Sequence, residues 1–346
     1  MSSNLERELR AQPEALARLL AKQRGYAERI AELFHRSDVH YVLIASRGSS
    51  GNAARYAQYL LGRARRIPVA FATPSLFTLY HQPPRLEGAL VIGISQSGKS
   101  PDVVEVVEEA KRQGRPTIAL TNAPASPLGR AADGVLKLEA GSERAVAATK
   151  TYVNSLGAVA LVFAVSTSDA RALAELERVP DQLARQLERS RQDVAAVDVL
   201  GGIDGGTVIA RGVNYCTAFE TALKIREMSG LLVEAWSAAD LMHGPVAAIG
   251  HGWPVFAIAP TGPAFAAMGE GIDSVAARGA RLVVISDDEQ LLARGEVALR
   301  LIEGVPDWLS PLVAVVPGQL AALQLAKLRG IDLDHPLGLA KVTLTR

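Results

Sequence analysis

Gly93-Ile94-Ser95-Gln96-Ser97-Gly98-Lys99-Ser100 follows the apolar run Ala89-Leu90-Val91-Ile92 and can be read in two incompatible ways. Letter for letter it fits G-x-x-x-x-G-K-[ST], the nucleotide P-loop. It also fits a hydroxyl-rich loop, Ser-Gln-Ser-Gly-x-Ser, of the kind that holds a sugar phosphate. Either way an anion sits at the end of a strand, where a helix from Pro101 to Gln113 begins with unbonded backbone N–H groups. The first reading makes an NTPase and the second a sugar-phosphate enzyme. The rest of the chain decides between them.

Working outward, short β-branched apolar runs alternate with helical stretches, the pattern of an α/β fold with parallel sheets. Strands are expected near 39–45, 67–71, 89–94, 116–121 and 134–138, with helices near 50–63, 101–113 and 150–166. A charged, Leu-rich helical stretch follows from 172 to 198. The second half then replays the first. Ile44-Ala45-Ser46-Arg47-Gly48 is matched by Ile209-Ala210-Arg211-Gly212, and Ile94-Ser95-Gln96-Ser97-Gly98 by Ile258-Ala259-Pro260-Thr261-Gly262, both 164 residues on. Gly114 to Asn122 is matched by Gly279 to Asp287 at 165. Three matches in register make a tandem repeat of one α/β unit.

The repeat argues against the P-loop. A P-loop chain needs a strand ending in an Asp that holds Mg²⁺. The nearest candidate, Val283-Val284-Ile285-Ser286-Asp287, is already explained as the copy of 118–122. The second copy of the loop, Ala259-Pro260-Thr261-Gly262, carries no lysine, so Lys99 is not part of the shared architecture.

Composition excludes several other classes. Lys plus Arg total 37 against 36 Asp plus Glu, so no net field favours nucleic acid or an anionic membrane. The single cysteine, Cys216, rules out internal disulfides and cysteine metal clusters and fits a reducing cytoplasm. The charged start, Met1 to Glu8, has no apolar core of a signal peptide. The longest apolar run, Leu156 to Val165, is short for a membrane span and reads as a buried helix. The histidines His35, His40, His81, His251 and His335 show no ligand spacing, so neither metal nor cofactor is expected. The expectation is a cytoplasmic protein that binds neither nucleic acid nor membrane.

Two tandem units with these loops resemble the sugar isomerase (SIS) family, specifically the isomerase half of glucosamine-6-phosphate synthase, from about Val39 to Arg346. Arg47-Gly48-Ser49-Ser50-Gly51-Asn52 is similar to that family's Gly-Thr-Ser loop, with Arg47 in place of its usual Cys. Ser95-Gln96-Ser97-Gly98-Lys99-Ser100 resembles its Ser-Gln-Ser-Gly-Glu-Thr loop, with Lys99 in place of Glu. Ala145 to Lys150 resembles its Val-Ala-Ser-Thr-Lys segment. Phe219 to Ser229 resembles its Glu-Gly-Ala-Leu-Lys-Leu-Lys-Glu-Ile-Ser helix, and Leu241-Met242-His243-Gly244-Pro245 its Leu-Lys-His-Gly-Pro turn. The tail Asp334 to Lys341 resembles its Asp-Gln-Pro-Arg-Asn-Leu-Ala-Lys. The synthase also carries a glutaminase domain with an N-terminal cysteine. Here about 38 residues precede the first strand and residue 2 is Ser, so glutamine hydrolysis by that route is not expected.

The resemblance implies an N-terminal helical segment (1–38), a first SIS domain with the phosphate loops (39–170), a helical connector (171–199) and a second SIS domain (200–346). Ser49, Ser50, Ser95, Gln96, Ser97 and Ser100 supply donors to a phosphate dianion. The plain alternative is that they are turn and N-cap residues. The second copy lacks this donor set, so one phosphate site per chain is expected. The resemblance adds Val146 and Ala340 to the substrate contacts.

Glu220, Lys224 and Glu227 fall at helical spacing on one face, which fits a surface salt-bridge ladder as well as a site. By resemblance Glu227 is the base that moves a proton between C1 and C2 of an open-chain sugar, and Lys224 holds the developing oxygen or nitrogen charge. His243, otherwise readable as structural, opens the sugar ring by resemblance and reaches a neighbouring subunit's site, which implies a homodimer. Lys341, otherwise a solvated terminal lysine, by resemblance forms a Schiff base at C2.

The expected activity is that of an isomerising enzyme deaminating glucosamine 6-phosphate to fructose 6-phosphate and ammonia. Alternatives are galactosamine 6-phosphate or fructosamine 6-phosphate as substrate, the ammonia-dependent reverse synthesis, and a non-catalytic phosphosugar sensor.

Overall fold

A computed structural model of the chain describes residues 3–167, 169–334 and 341. These fall into two compact units. One comprises residues 11–144 and 148–180, with Lys341; the other comprises residues 3–10, 145–147 and 181–334.

The first unit is built on β1 (Tyr41–Ser46), β2 (Val69–Phe71), β3 (Ala89–Ile94), β4 (Thr117–Thr121) and β5 (Gly134–Lys137). They form one sheet in the order β2-β1-β3-β4-β5, every pair parallel. The second unit uses β6 (Gly205–Ala210), β7 (Leu232–Ser237), β8 (Pro254–Ile258), β9 (Arg281–Ser286) and β10 (Val297–Arg300). Its order is β7-β6-β8-β9-β10, again all parallel. Strand for strand this is the first sheet repeated, as the 164-residue register predicts. Gly48 and Gly212, which set that register, both take positive φ, 52° and 65°.

The burial follows from the topology. A parallel sheet covered on both faces reads as continuous apolar runs rather than alternating ones. All six residues of β3 and of β6 are buried, whereas the edge strand β2 is largely exposed.

One apolar helix lies at the heart of each unit. In the first, Lys150–Ser166 is buried along nearly its whole length and packs against Gln12–Phe34. In the second, Ser310–Leu328 is equally buried and packs against Tyr215–Ser229. By length and composition the stretch Asp307–Leu328 could cross a membrane, yet 94% of its apolar window is buried inside the protein, as in a core helix. In sequence this stretch stands out less than 156–165, because Pro317 and Gln319 interrupt its apolar run.

A glycine permits each close crossing. A Cβ at Gly157 would meet Leu16 Cδ1 at 2.4 Å, and one at Gly318 would meet Thr221 Oγ1 at 2.2 Å. Thr221 lies on the helix that carries Glu220, Lys224 and Glu227, so the second crossing fixes where those charges sit.

Candidate active site

In an open parallel α/β sheet, ligands bind beyond the carboxyl ends of the strands. In the first unit those ends carry the predicted hydroxyl loops. The β1–β3 register pairs Ser46 with Ile94, so Arg47 and Ser95 leave the sheet side by side. Ser49 and Ser50 lie in the first turn of the helix Gly48–Arg65, and Ser100 stands before Pro101–Arg112.

The serine loop is partly its own scaffold. Gly98 N–H donates to Ser95 Oγ at 3.2 Å and Lys99 N–H to Ser97 Oγ at 3.3 Å. Asn122 N–H and Thr121 Oγ1 donate to the Gln96 carbonyl at 3.2 and 3.3 Å. In both bonds the serine oxygen accepts, which leaves the hydroxyl proton uncommitted. Ser100 occupies the N-cap position, but its side chain makes no capping bond. The capping alternative therefore does not account for its hydroxyl. Lys99 is exposed.

Arg47 is not idle. Its Nε donates to Asp102 Oδ2 at 2.6 Å, and Asp102 is 1% exposed although it sits in the first turn of a surface helix. Asp102 carries no local sequence signal, because its partner lies 55 residues away.

Glu143 gives little sequence signal either. Its Oε1 accepts the N–H groups of Thr149 and Thr151, both at 3.0 Å. Its Oε2 accepts Thr151 Oγ1 at 2.7 Å and Lys341 Nζ at 2.8 Å. Burial pushes this carboxyl up, but Lys341 and Thr151 more than offset it and hold its pKa below the ordinary glutamate value. The only sequence signal was an acid just before the 145–150 segment. Lys341 is thus half-buried and ion-paired rather than solvated. Ala340 lies outside the described residues. Val146, partly buried, groups with the second unit.

The second unit assembles the charged helix. Lys224 Nζ lies 3.5 Å from Glu220 Oε1 and donates to Glu227 Oε2. The side chains of Glu220 and Lys224 are 0% and 1% exposed, and that of Glu227 is 27% exposed. This is no surface ladder. Charges withdrawn from water are expensive to hold, and only the outermost of the three is open to a ligand.

His243 ends the short helix Ala238–Met242; it is exposed, and its ring makes no hydrogen bond among the described residues. The fold keeps it away from Glu227 of the same chain. The helix Tyr215–Ser229 runs back from the carboxyl end of β6 to the start of β7, so Glu227 lies near the amino end of β7. His243 follows its carboxyl end, and β7 runs roughly 20 Å between them.

The second copy of the serine loop has a different content. Asp287 accepts Thr261 N–H at 2.7 Å and Thr261 Oγ1 at 2.6 Å. The loop donors are taken by the chain's own carboxylate. Among the described residues no three His, Cys, Asp or Glu side chains cluster as metal ligands.

The SIS domain model matches residues 37–165 and again 207–329, covering both sheets. The chain belongs to the SIS family. Over 340 residues it is 33% identical to the glutamine–fructose-6-phosphate aminotransferase (isomerizing) of Pyrococcus horikoshii, covering 97% of this chain and 56% of that one. The SIS chain thus spans little more than half the length of such curated relatives. A solved Silicibacter pomeroyi protein, provisionally named a phosphosugar isomerase, is 33% identical with a TM-score of 0.85, covering 96% of this chain and 99% of that one. The C-terminal domain of glucosamine-fructose-6-phosphate aminotransferase from Francisella tularensis is 25% identical with a TM-score of 0.86, covering 97% and 98%. The two SIS units are therefore those of a phosphosugar isomerase fold.

Proposed function

We propose that this chain isomerises and deaminates an amino-sugar phosphate, converting glucosamine 6-phosphate to fructose 6-phosphate and ammonia. The observation that carries the reading is the Glu220–Lys224–Glu227 line, two buried charges presenting one accessible carboxylate. A general base for carbon acids needs this combination of fixed position and access to a ligand.

The serine loop holds the phosphate. Glu227 takes the proton from C2 of the open-chain aldehyde, leaving an enolamine whose C1 oxygen bears developing charge. The Lys224 ammonium stabilises that charge. Return of the proton to C1 gives a primary alcohol at C1 and an imine at C2. Lys341 passes its ammonium proton to the C2 imine nitrogen, adds to C2 as the neutral amine and expels ammonia. Water cleaves the resulting lysine imine, releasing the ketose and regenerating the amine. One water enters and one ammonia leaves. At ordinary ammonia concentrations release is the favoured direction.

His243 opens the ring from a second copy of the chain. The placement of Glu227 and His243 at opposite ends of β7 supports this.

The test is ammonia release from glucosamine 6-phosphate, galactosamine 6-phosphate and fructosamine 6-phosphate, each with a Glu227→Gln control. Fructose 6-phosphate with glutamine is run alongside. Release from glucosamine 6-phosphate that disappears in the variant is expected. No release from any of the three, or glucosamine 6-phosphate made from glutamine, would overturn the reading.

A further inference from the structure

We infer that Arg47 binds the phosphate group at the serine loop, held in place by Asp102, so that binding there depends on the ligand's charge as well as its hydrogen-bonding pattern. This rests on the reading of Ser95–Ser100 as a phosphate site. Three observations carry it.

Position comes first. Arg47 leaves β1 beside Ser95, and Asp102 opens the helix that follows the loop. Their ion pair links the starts of two helices that flank the serine hydroxyls.

The second is how the guanidinium is used. Arginine–carboxylate pairs are frequently two-pronged. Here Nε alone donates, and the two terminal amino groups make no hydrogen bond among the described residues. The side chain is 54% exposed, whereas its anchor is 1% exposed. A planar pair of donors is thus fixed at one edge and open at the other, the form that matches two oxygens of a phosphate.

The third is local charge. Lys99 is exposed on the same loop, so two cations stand around Ser95-Gln96-Ser97 with Asp102 as the facing acid. Both positions depart from the family pattern, and both departures add positive charge.

The experiment measures binding without turnover. Wild-type protein, Arg47→Gln, Arg47→Ala and Asp102→Asn are titrated calorimetrically with glucose 6-phosphate and with inorganic phosphate, each at low and high salt. Arg47→Gln keeps a polar side chain at this position and removes the charge together with the two terminal amino groups, so a misfolded Arg47→Ala would not obscure the result. Arg47→Gln is expected to weaken both ligands about tenfold, the order of one charge-assisted contact, and to flatten the salt dependence. Asp102→Asn is expected to produce a smaller loss of the same kind, because the arginine remains but is unfixed.

Unchanged affinity in Arg47→Gln overturns the inference. So does a loss confined to glucose 6-phosphate, which would put Arg47 on the sugar. Full affinity in Asp102→Asn removes the anchoring role. Wild-type protein that binds neither ligand overturns the phosphate site and this inference together. Glucose 6-phosphate has no amine to release, so failure of the deamination reading alone leaves the result standing.

Discussion

Glu143 receives the Lys341 ammonium on the same oxygen that accepts the Thr151 hydroxyl, while its other oxygen receives two N–H groups from the start of the Lys150–Ser166 helix. One buried carboxylate thereby ties the proposed Schiff-base lysine to the segment that the family resemblance puts against substrate. The tie is electrostatic, so it has a pH limit.

The folded pKa of Glu143 lies below its reference value of 4.5. Its contribution is therefore complete above that value and is lost as pH falls through the lower, folded one. Urea midpoints measured between about pH 6 and pH 3 should fall more steeply for wild type than for Glu143→Gln. Equal slopes would mean that the carboxylate does not hold the tail.

Lys224 stands between two carboxylates, one of them wholly buried. Lys224→Met leaves Glu220 without its nearest cation and should cost about 3–5 kcal/mol in urea unfolding, together with activity. A loss below about 1 kcal/mol would indicate that the cluster is hydrated and worth no more than a surface pair.

The crossing at Gly318 tests whether the charged helix is positioned by packing. Gly318→Ala should destabilise the protein by about 1–3 kcal/mol and lower kcat, because the added methyl collides with Thr221. Among the described residues Thr221 Oγ1 has no hydrogen-bond partner, so Thr221→Ala removes the obstacle at little cost. The double variant should recover both stability and kcat. Recovery of stability alone would separate the crossing from the chemistry.

If a second chain supplies His243, two inactive variants should complement each other. Glu227→Gln mixed with His243→Ala after dissociation and reassembly should regain about a quarter of wild-type activity, since half the dimers are hybrids with one intact site each. No recovery, with hybrid dimers verified by mass, would place both residues in one chain's site.

Much of the fold could be read from sequence because a parallel sheet buried on both faces leaves unbroken β-branched runs, and a duplication repeats them in register. The spacing of Glu220, Lys224 and Glu227 was equally plain. Their burial was not, because three charges at helical spacing look the same under solvent or under another helix. Only the packing of Ser310–Leu328 decides it. Glu143 and Asp102 escaped notice for a different reason. Their partners lie 198 and 55 residues away, and a single acid carries no local pattern that reveals a distant cation. The opposition of Glu227 and His243 likewise follows from the sense of a β-α-β crossover, not from either motif.

Asp287 gives the duplication a further meaning. The duplication places an equivalent loop, with donors to satisfy, at the ends of β3 and β8. In the second copy a resident carboxylate settles the demand permanently, as a counter-ion encoded in the gene. That copy is thereby removed from competition for diffusible anions. Binding of one phosphosugar per chain is then the expected stoichiometry, set by an internal occupant of the second loop.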